Sequence, residues 1–181
     1  YKDYGQKVQD KVKKHHLDNG GVSRYEKFKY YHSNFLNIEL SSDEVEDLAT
    51  RFSKLVTEKV VNCNYIPGAM EYIKKKSKHY KLFVSTGTPN NEINIILNER
   101  NISNFFSNIY GSPENKILHV KKIMSLFSYK SEDLIFFGDS MSDYEAAKYH
   151  KIDFILVEND HNYNLFKNKK VKKIKSFLEL I

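Results

Sequence analysis

At 181 residues the chain is long enough for one domain, or one domain with a small lobe, and for a real buried core. The single cysteine, Cys63, excludes an internal disulfide and suits a reducing cytoplasm; no signal peptide is visible, and no apolar run approaches the roughly 18 residues a membrane helix needs. The net charge of +6 is spread over several expected helices, as on a solvated basic surface, and the densest basic cluster, Lys167 to Lys175, has no interleaved aromatics to stack on bases, which argues against nucleic-acid binding.

The first two-fifths of the chain is expected to be helical. Tyr4 to Leu17 carries apolar residues at helical intervals and stops at Asn19-Gly20-Gly21, a C-terminal signal. Ser23 can cap a second helix whose aromatic face, Tyr25, Phe28, Tyr31, Phe35 and Leu36, reads as core. Ser41 and Glu44 form a capping box for a third helix to about Val61. The adjacent His15 and His16 read as helix surface and packing residues.

From Tyr65 the pattern changes. Pro67 suits the first turn of a helix running to about Lys78. Then come the strand Leu82-Phe83-Val84, a helix after Pro89, the short strand Asn108-Ile109-Tyr110 and a helix from about Asn115 to Phe127. Leu134 to Phe137 reads as a buried parallel strand closed by Gly138, and a helix follows around Tyr144 to Lys148. Asp153 to Val157 and Val171 to Ile174 are the last strands, and a short helix ends the chain. Alternating strands and helices predict an α/β, Rossmann-like parallel sheet in right-handed units. The expected division is a helical lobe, residues 1–64, and an α/β lobe, residues 65–181, joined near Asn62-Cys63-Asn64.

Three strand ends carry chemistry, at the sheet edge where open α/β folds bind ligands. Ser85, Thr86, Gly87 and Thr88 follow the first strand and can cradle an anion with hydroxyls and backbone amides; the same residue types also cap helices. Lys116 opens a helix, where the dipole prefers an anion, so a solvated lysine and a functional one are both compatible. Asp139 and Asp143 sit at a strand-to-helix turn. Two carboxylates there can hold a hard cation such as Mg²⁺; the alternative is a helix N-cap at Asp139 or Ser140, with Asp143 favourable to the dipole.

Hydroxyl, lysine and paired aspartates at successive strand ends resemble the haloacid dehalogenase (HAD) superfamily, and its phosphoglycolate-phosphatase-like and β-phosphoglucomutase-like branch in particular. Ser85 in LFVST matches its second motif, Lys116 in GSPENK its third, and Asp139 and Asp143 in FFGDSMSD its fourth. The resemblance spans nearly the whole chain. It implies a Rossmann-like core with a small helical cap, and a Mg²⁺-dependent phosphatase of a small phosphorylated metabolite working through an aspartyl-phosphate. Asp139 would hold Mg²⁺; Asp143 would complete its surroundings directly or through water and orient Lys116. Lys116 would neutralise the transferring phosphoryl group, and Ser85 with the amides of Thr86 and Gly87 would hold its other oxygens. In GGVSRYEKF, Arg24 stands where related caps use an arginine for the non-reacting end of the substrate; a surface salt bridge is the alternative.

The family's first motif, Asp-x-Asp after an apolar strand, which supplies the nucleophile, is not in this sequence; Asp3 follows no strand. In the family fold that strand lies between those ending at Ser85 and Gly138. Its loss would leave two unpaired inner edges, at a cost above the usual stability of about 5–15 kcal/mol. The expectation is therefore an N-terminally truncated, inactive chain, with which the absence of an initiator Met agrees. Alternatives are a non-catalytic binding domain of the same fold, a phosphomutase, or a dehalogenase, the last disfavoured because it needs no Mg²⁺ ligands. Arg24, Lys27 and Tyr31 suggest an anionic or polar substrate; its identity and the oligomeric state are not encoded legibly.

Overall fold

A computed structural model describes residues 1–181. Helix α1 (Gln6–Asp18) ends where the backbone and side-chain N–H groups of Asn19 both donate to the His15 carbonyl, at 3.0 and 2.9 Å. Gly21 then takes a left-handed φ of 75° and turns the chain. Helix α2 (Arg24–Tyr31) starts on Ser23, whose hydroxyl accepts from the Tyr25 amide. It widens into a π turn, His32–Leu36, that Asn37 closes in the left-handed region. Helix α3 (Ser42–Val61) begins with the expected capping box: Ser41 N donates to Glu44 and Glu44 N donates back to Ser41 Oγ. The aromatic face of α2 is core, with Phe28 and Tyr31 buried against Ala49 of α3 and flanked by Val12, Phe35 and Phe52.

Arg100 secures the passage from α3 to the α/β part. Its Nη1 donates to the carbonyls of Val60, Val61 and Cys63 at 2.6–2.9 Å, satisfying the orphan acceptors at the end of α3. Helix α4 (Ala69–Lys76) starts two residues later than Pro67 suggested. Pro67 instead lends its carbonyl to Phe177 N at 2.9 Å, and Gly68 at φ 78° is the N-cap.

The remaining elements alternate: β1 (Phe83–Pro89), α5 (Asn90–Glu99), β2 (Asn108–Ser112), α6 (Lys116–Phe127), β3 (Ile135–Gly138), α7 (Met141–Tyr149), β4 (Asp153–Val157), the short α8 (Tyr163–Phe166) and β5 (Lys172–Ile174), with a terminal 3₁₀ turn, Phe177–Leu180. Every strand pair is parallel. Helix α8 was not legible in the sequence, although its Phe166 is fully buried.

The strands form two sheets, β1-β2 and β3-β4-β5, with no pairing between β1 and β3. The strand expected to join them is missing, and the inner edges of β1 and β3 have no partner strand. Between them lies an apolar slot of about 460 Å³ walled by Leu82, Phe83, Phe106, Ile123, Leu134 and Phe136, among others. β3 was expected to be a buried parallel strand; Ile135 is 58% exposed, and β3 has a partner strand on one edge only. Packing is complete on the far side, where Ile155, Val157 and Ile174 of β4 and β5 are buried together.

Candidate active site

The seven residues singled out in the sequence, Arg24, Ser85, Thr86, Gly87, Lys116, Asp139 and Asp143, all line one cavity of about 840 Å³ between the α1–α3 helices and the strand ends. Its floor is the turn from β3 to α7. Ser140 is the N-cap of α7 and Asp143 its N3 residue, in a reciprocal capping box. Asp143 Oδ2 accepts from Ser140 Oγ at 2.6 Å, Ser140 N at 3.1 Å and Asp139 N at 3.3 Å. Its Oδ1 takes Lys116 Nζ at 2.5 Å, an ion pair in which both side chains are less than a tenth exposed. Gly138 is required here: a Cβ on it would fall 2.3 Å from the Cβ of Asp143. The N-cap is thus Ser140 rather than Asp139, and the two aspartates differ in role. Asp143 is spent on holding the turn and Lys116, whereas Asp139 accepts no side-chain hydrogen bond and stays open to the cleft.

The carboxyl of Asp139 is raised above the usual carboxylate range, first by desolvation in the cleft wall and second by Asp143; Lys116 offsets this only partly. A desolvated carboxylate whose charge is only partly offset, beside a second carboxylate, suits a hard cation. Asp139 is the carboxylate of the pair that could take a Mg²⁺ ion, while Asp143 acts on Lys116 and the turn; no group of three or more His, Cys, Asp or Glu side chains is assembled around it.

Ser85 ends the regular part of β1. The β1-β2 register breaks between Ser85 and Pro89, so Thr86 to Thr88 leave the ladder and enter the cavity wall. The Thr86 hydroxyl accepts from Thr88 N at 3.2 Å, shaping this turn. Ser85 Oγ lies 2.9 Å from Nδ1 of His119, a fully buried ring stacked on Tyr110. Desolvation lowers the His119 pKa, favouring the neutral ring that fixes the serine hydroxyl. His119 went unnoticed in the sequence; the available signal was its i+3 spacing from Lys116, which puts both on one face of α6.

The α1–α2 turn closes over this floor. A Cβ on Gly21 would lie within 2.7 Å of Ser140 Oγ and Lys116 Nζ, and one on Gly87 would be 2.6 Å from the Gly21 carbonyl oxygen. Only glycine permits such an approach. Arg24 is at the cavity wall, but its guanidinium is engaged. Nη1 and Nη2 donate to the two Glu92 carboxylate oxygens at 2.8 Å each, Nη1 also reaches Ser53 Oγ at 2.6 Å, and the plane lies 4.7 Å from the Phe52 ring. Of the two alternatives for Arg24, the structure shows a salt bridge, a buried one that joins α2 and α3 to α5. Glu92 is a first-turn carboxylate on α5, and no sequence pattern tied it to Arg24.

A parallel α/β core that presents hydroxyl, lysine and paired aspartates at successive strand ends beneath a helical lobe is the arrangement of a HAD-type hydrolase. The chain belongs to the haloacid dehalogenase-like hydrolase family, whose profile matches residues 5–157. Solved structures share the fold. A predicted phosphoglycolate phosphatase from Haemophilus somnus aligns with a TM-score of 0.72 at 20% identity, over 99% of this chain and 84% of that one. A β-phosphoglucomutase from Clostridium difficile gives 0.73 at 20% identity, over 95% and 78%. A putative HAD-hydrolase from Bacillus subtilis bound to magnesium gives 0.67 at 15% identity, over 97% and 81%. No curated protein matches the chain. No helix is long and apolar enough to cross a membrane.

Proposed function

We propose that this chain carries the phosphate-binding and metal-binding side of a Mg²⁺-dependent phosphatase of a small phosphorylated metabolite. The observation that carries the reading is the convergence of Ser85, Lys116, Asp139 and Asp143 on one cavity, with Lys116 fixed by Asp143 and Asp139 left open. When bound, Mg²⁺ would supply charge neutralisation to a phosphoryl oxygen. The chain's own residues do the rest. Ser85, oriented by His119, donates to a phosphate oxygen, and the amides of the Thr86-Gly87 turn serve the others. Lys116 presents its ammonium to the transferring group while Asp143 holds it in place. The glycine turn at Gly20-Gly21 excludes water from above.

The nucleophile of this reading is a carboxylate on a strand seated in the slot between β1 and β3. Both Asp139 and Asp143 are committed to other roles, so the 181 residues alone are inactive in this account. That same observation favours the second reading, a non-catalytic domain that binds phosphate compounds. Inorganic phosphate binding, followed by titration calorimetry with and without Mg²⁺, tests the shared core of both. Mg²⁺ should tighten phosphate binding at least tenfold in the wild type and not in Asp139→Asn. Binding insensitive to Mg²⁺ and to Asp139→Asn would remove the metal-assisted site.

A further inference from the structure

Asn162 lies in the loop that leads from β4 into α8 and is 4% exposed. Its side-chain amide donates twice to backbone carbonyls: Nδ2 reaches Asp139 O and Val157 O, at 2.9 Å each. Its Oδ1 accepts from Asn159 N at 2.8 Å, which fixes the face of the amide, since a flipped group would set its oxygen against two carbonyls. The β3-β4 ladder stops at the Gly138–Leu156 pair, so Asn162 bridges the two strands just past their last rung. The loop that carries it has a firm base. Asn159 Oδ1 accepts from His161 N at 2.9 Å and from Asn162 N at 3.1 Å. Glu158 is tied to β5 through its amide, which donates to Ile174 O at 2.8 Å, and through a 2.8 Å ion pair with Lys173.

We infer that Asn162 is a positioning residue for Asp139: by clamping the Asp139 carbonyl from the β4 loop, it fixes the backbone that aims the cation-facing carboxylate. This rests on the proposed phosphatase site. Asp139 follows the last residue of β3 and precedes the cap of α7, so neither a ladder nor a helix sets its conformation. Side chains hold its backbone instead, one on each side. Asp143 Oδ2 accepts from Asp139 N at 3.3 Å, and Asn162 takes the Asp139 carbonyl. The Asn162 bond is the shorter of the two, and Asp143 is shared with Ser140 and Lys116. The Asp139 carboxylate lines the cavity, whereas Asn162 is not part of the cavity wall and acts only through Asp139. A carboxylate without a side-chain partner takes its direction from its backbone. Holding that backbone in advance removes an ordering cost that a bound cation would otherwise have to meet.

The test is inorganic phosphate binding by calorimetry, with and without Mg²⁺, on wild type, Asn162→Ala, Asn162→Asp and Asn159→Ala, each checked for a cooperative unfolding transition. Mg²⁺ should tighten phosphate binding about tenfold in the wild type, and by less than about threefold in Asn162→Ala, the size of effect expected when the partner that orients a metal ligand is lost. Phosphate affinity without Mg²⁺, which rests on Ser85 and Lys116, should stay at the wild-type value, a split that a merely structural loss would not produce. Asn162→Asp keeps the acceptor for Asn159 N and removes the amide donors. Its added negative charge would by itself favour a cation, so a lost Mg²⁺ gain there isolates the clamp, and this variant decides if the alanine one does not fold. Asn159→Ala loosens the same loop without removing the bond to Asp139 and should keep the wild-type gain. A gain that survives in the folded Asn162 variants, an equal loss in Asn159→Ala, or a parallel loss of phosphate affinity without Mg²⁺ overturns the inference and leaves the phosphate site standing. No gain in the wild type overturns the metal-assisted site and the inference together.

Discussion

Glu92→Ala removes one partner of the buried pair that ties α2 and α3 to α5. The Arg24 and Glu92 side chains are 11% and 9% exposed, and the two 2.8 Å bonds are reinforced by Ser53, which accepts from Arg24 and donates to Glu92. The guanidinium that the substitution strands is nearly buried, so the cost is about 3–5 kcal/mol, the range for breaking a buried ion pair. By contrast Lys14–Asp18, with side chains 77% and 44% exposed, is worth about 0–0.5 kcal/mol, and Asp18→Asn serves as the control. Denaturant unfolding of wild type, Glu92→Ala, the singles Arg24→Met and Glu92→Leu, and the double variant Arg24→Met/Glu92→Leu measures the coupling. The double variant should recover most of the single-variant loss, because apolar side chains fit a dry site that a lone charge does not. A Glu92→Ala loss under 1 kcal/mol, or a double variant as unstable as the sum of the singles, would refute the reasoning.

Gly138→Ala puts a Cβ into the Asp143 side chain; the turn should shift, costing about 1–3 kcal/mol of stability by overpacking and weakening phosphate binding together, measured by unfolding and calorimetry. Lys27 gives a pH signature. Its pKa is about 8 in the folded chain against 10.5 for a free lysine, so above pH 8 the unfolded state holds more protons than the folded one. Its contribution to stability therefore rises with pH from about 8 towards 10.5. The difference in unfolding free energy between wild type and Lys27→Met should tilt in the wild type's favour between pH 7.5 and 9.5, roughly the span set by that shift; a flat difference would show that Lys27 is not desolvated.

Much of this was legible because short-range chemistry controls it. The Ser41–Glu44 box, the Asn19-Gly20-Gly21 stop and the strand run ending at Gly138 each act within a few residues, and each stands where its pattern placed it. The family resemblance supplied what periodicity cannot, the grouping of Ser85, Lys116 and Asp139 from three strand ends into one cavity. The open position between β1 and β3 was foreseeable for the same reason. What escaped depends on partners distant in sequence. Glu92 meets Arg24 across 68 residues, and His119 meets Ser85 across 34. Helix α8 is only four residues long and owes its place to the burial of Phe166 rather than to any helical period.

The most direct test of the central claim is hydrolysis of p-nitrophenyl phosphate with Mg²⁺, by the 181-residue chain and by a longer form that adds an apolar strand ending in Asp-x-Asp at its N-terminus. Activity confined to the longer form, and lost in Asp139→Asn, is the result this account predicts: the slot then receives a strand that completes the site. Hydrolysis by the 181 residues alone, as a monomer, would contradict it, because a nucleophile would then have to come from residues assigned here to holding the metal, the lysine and the turn.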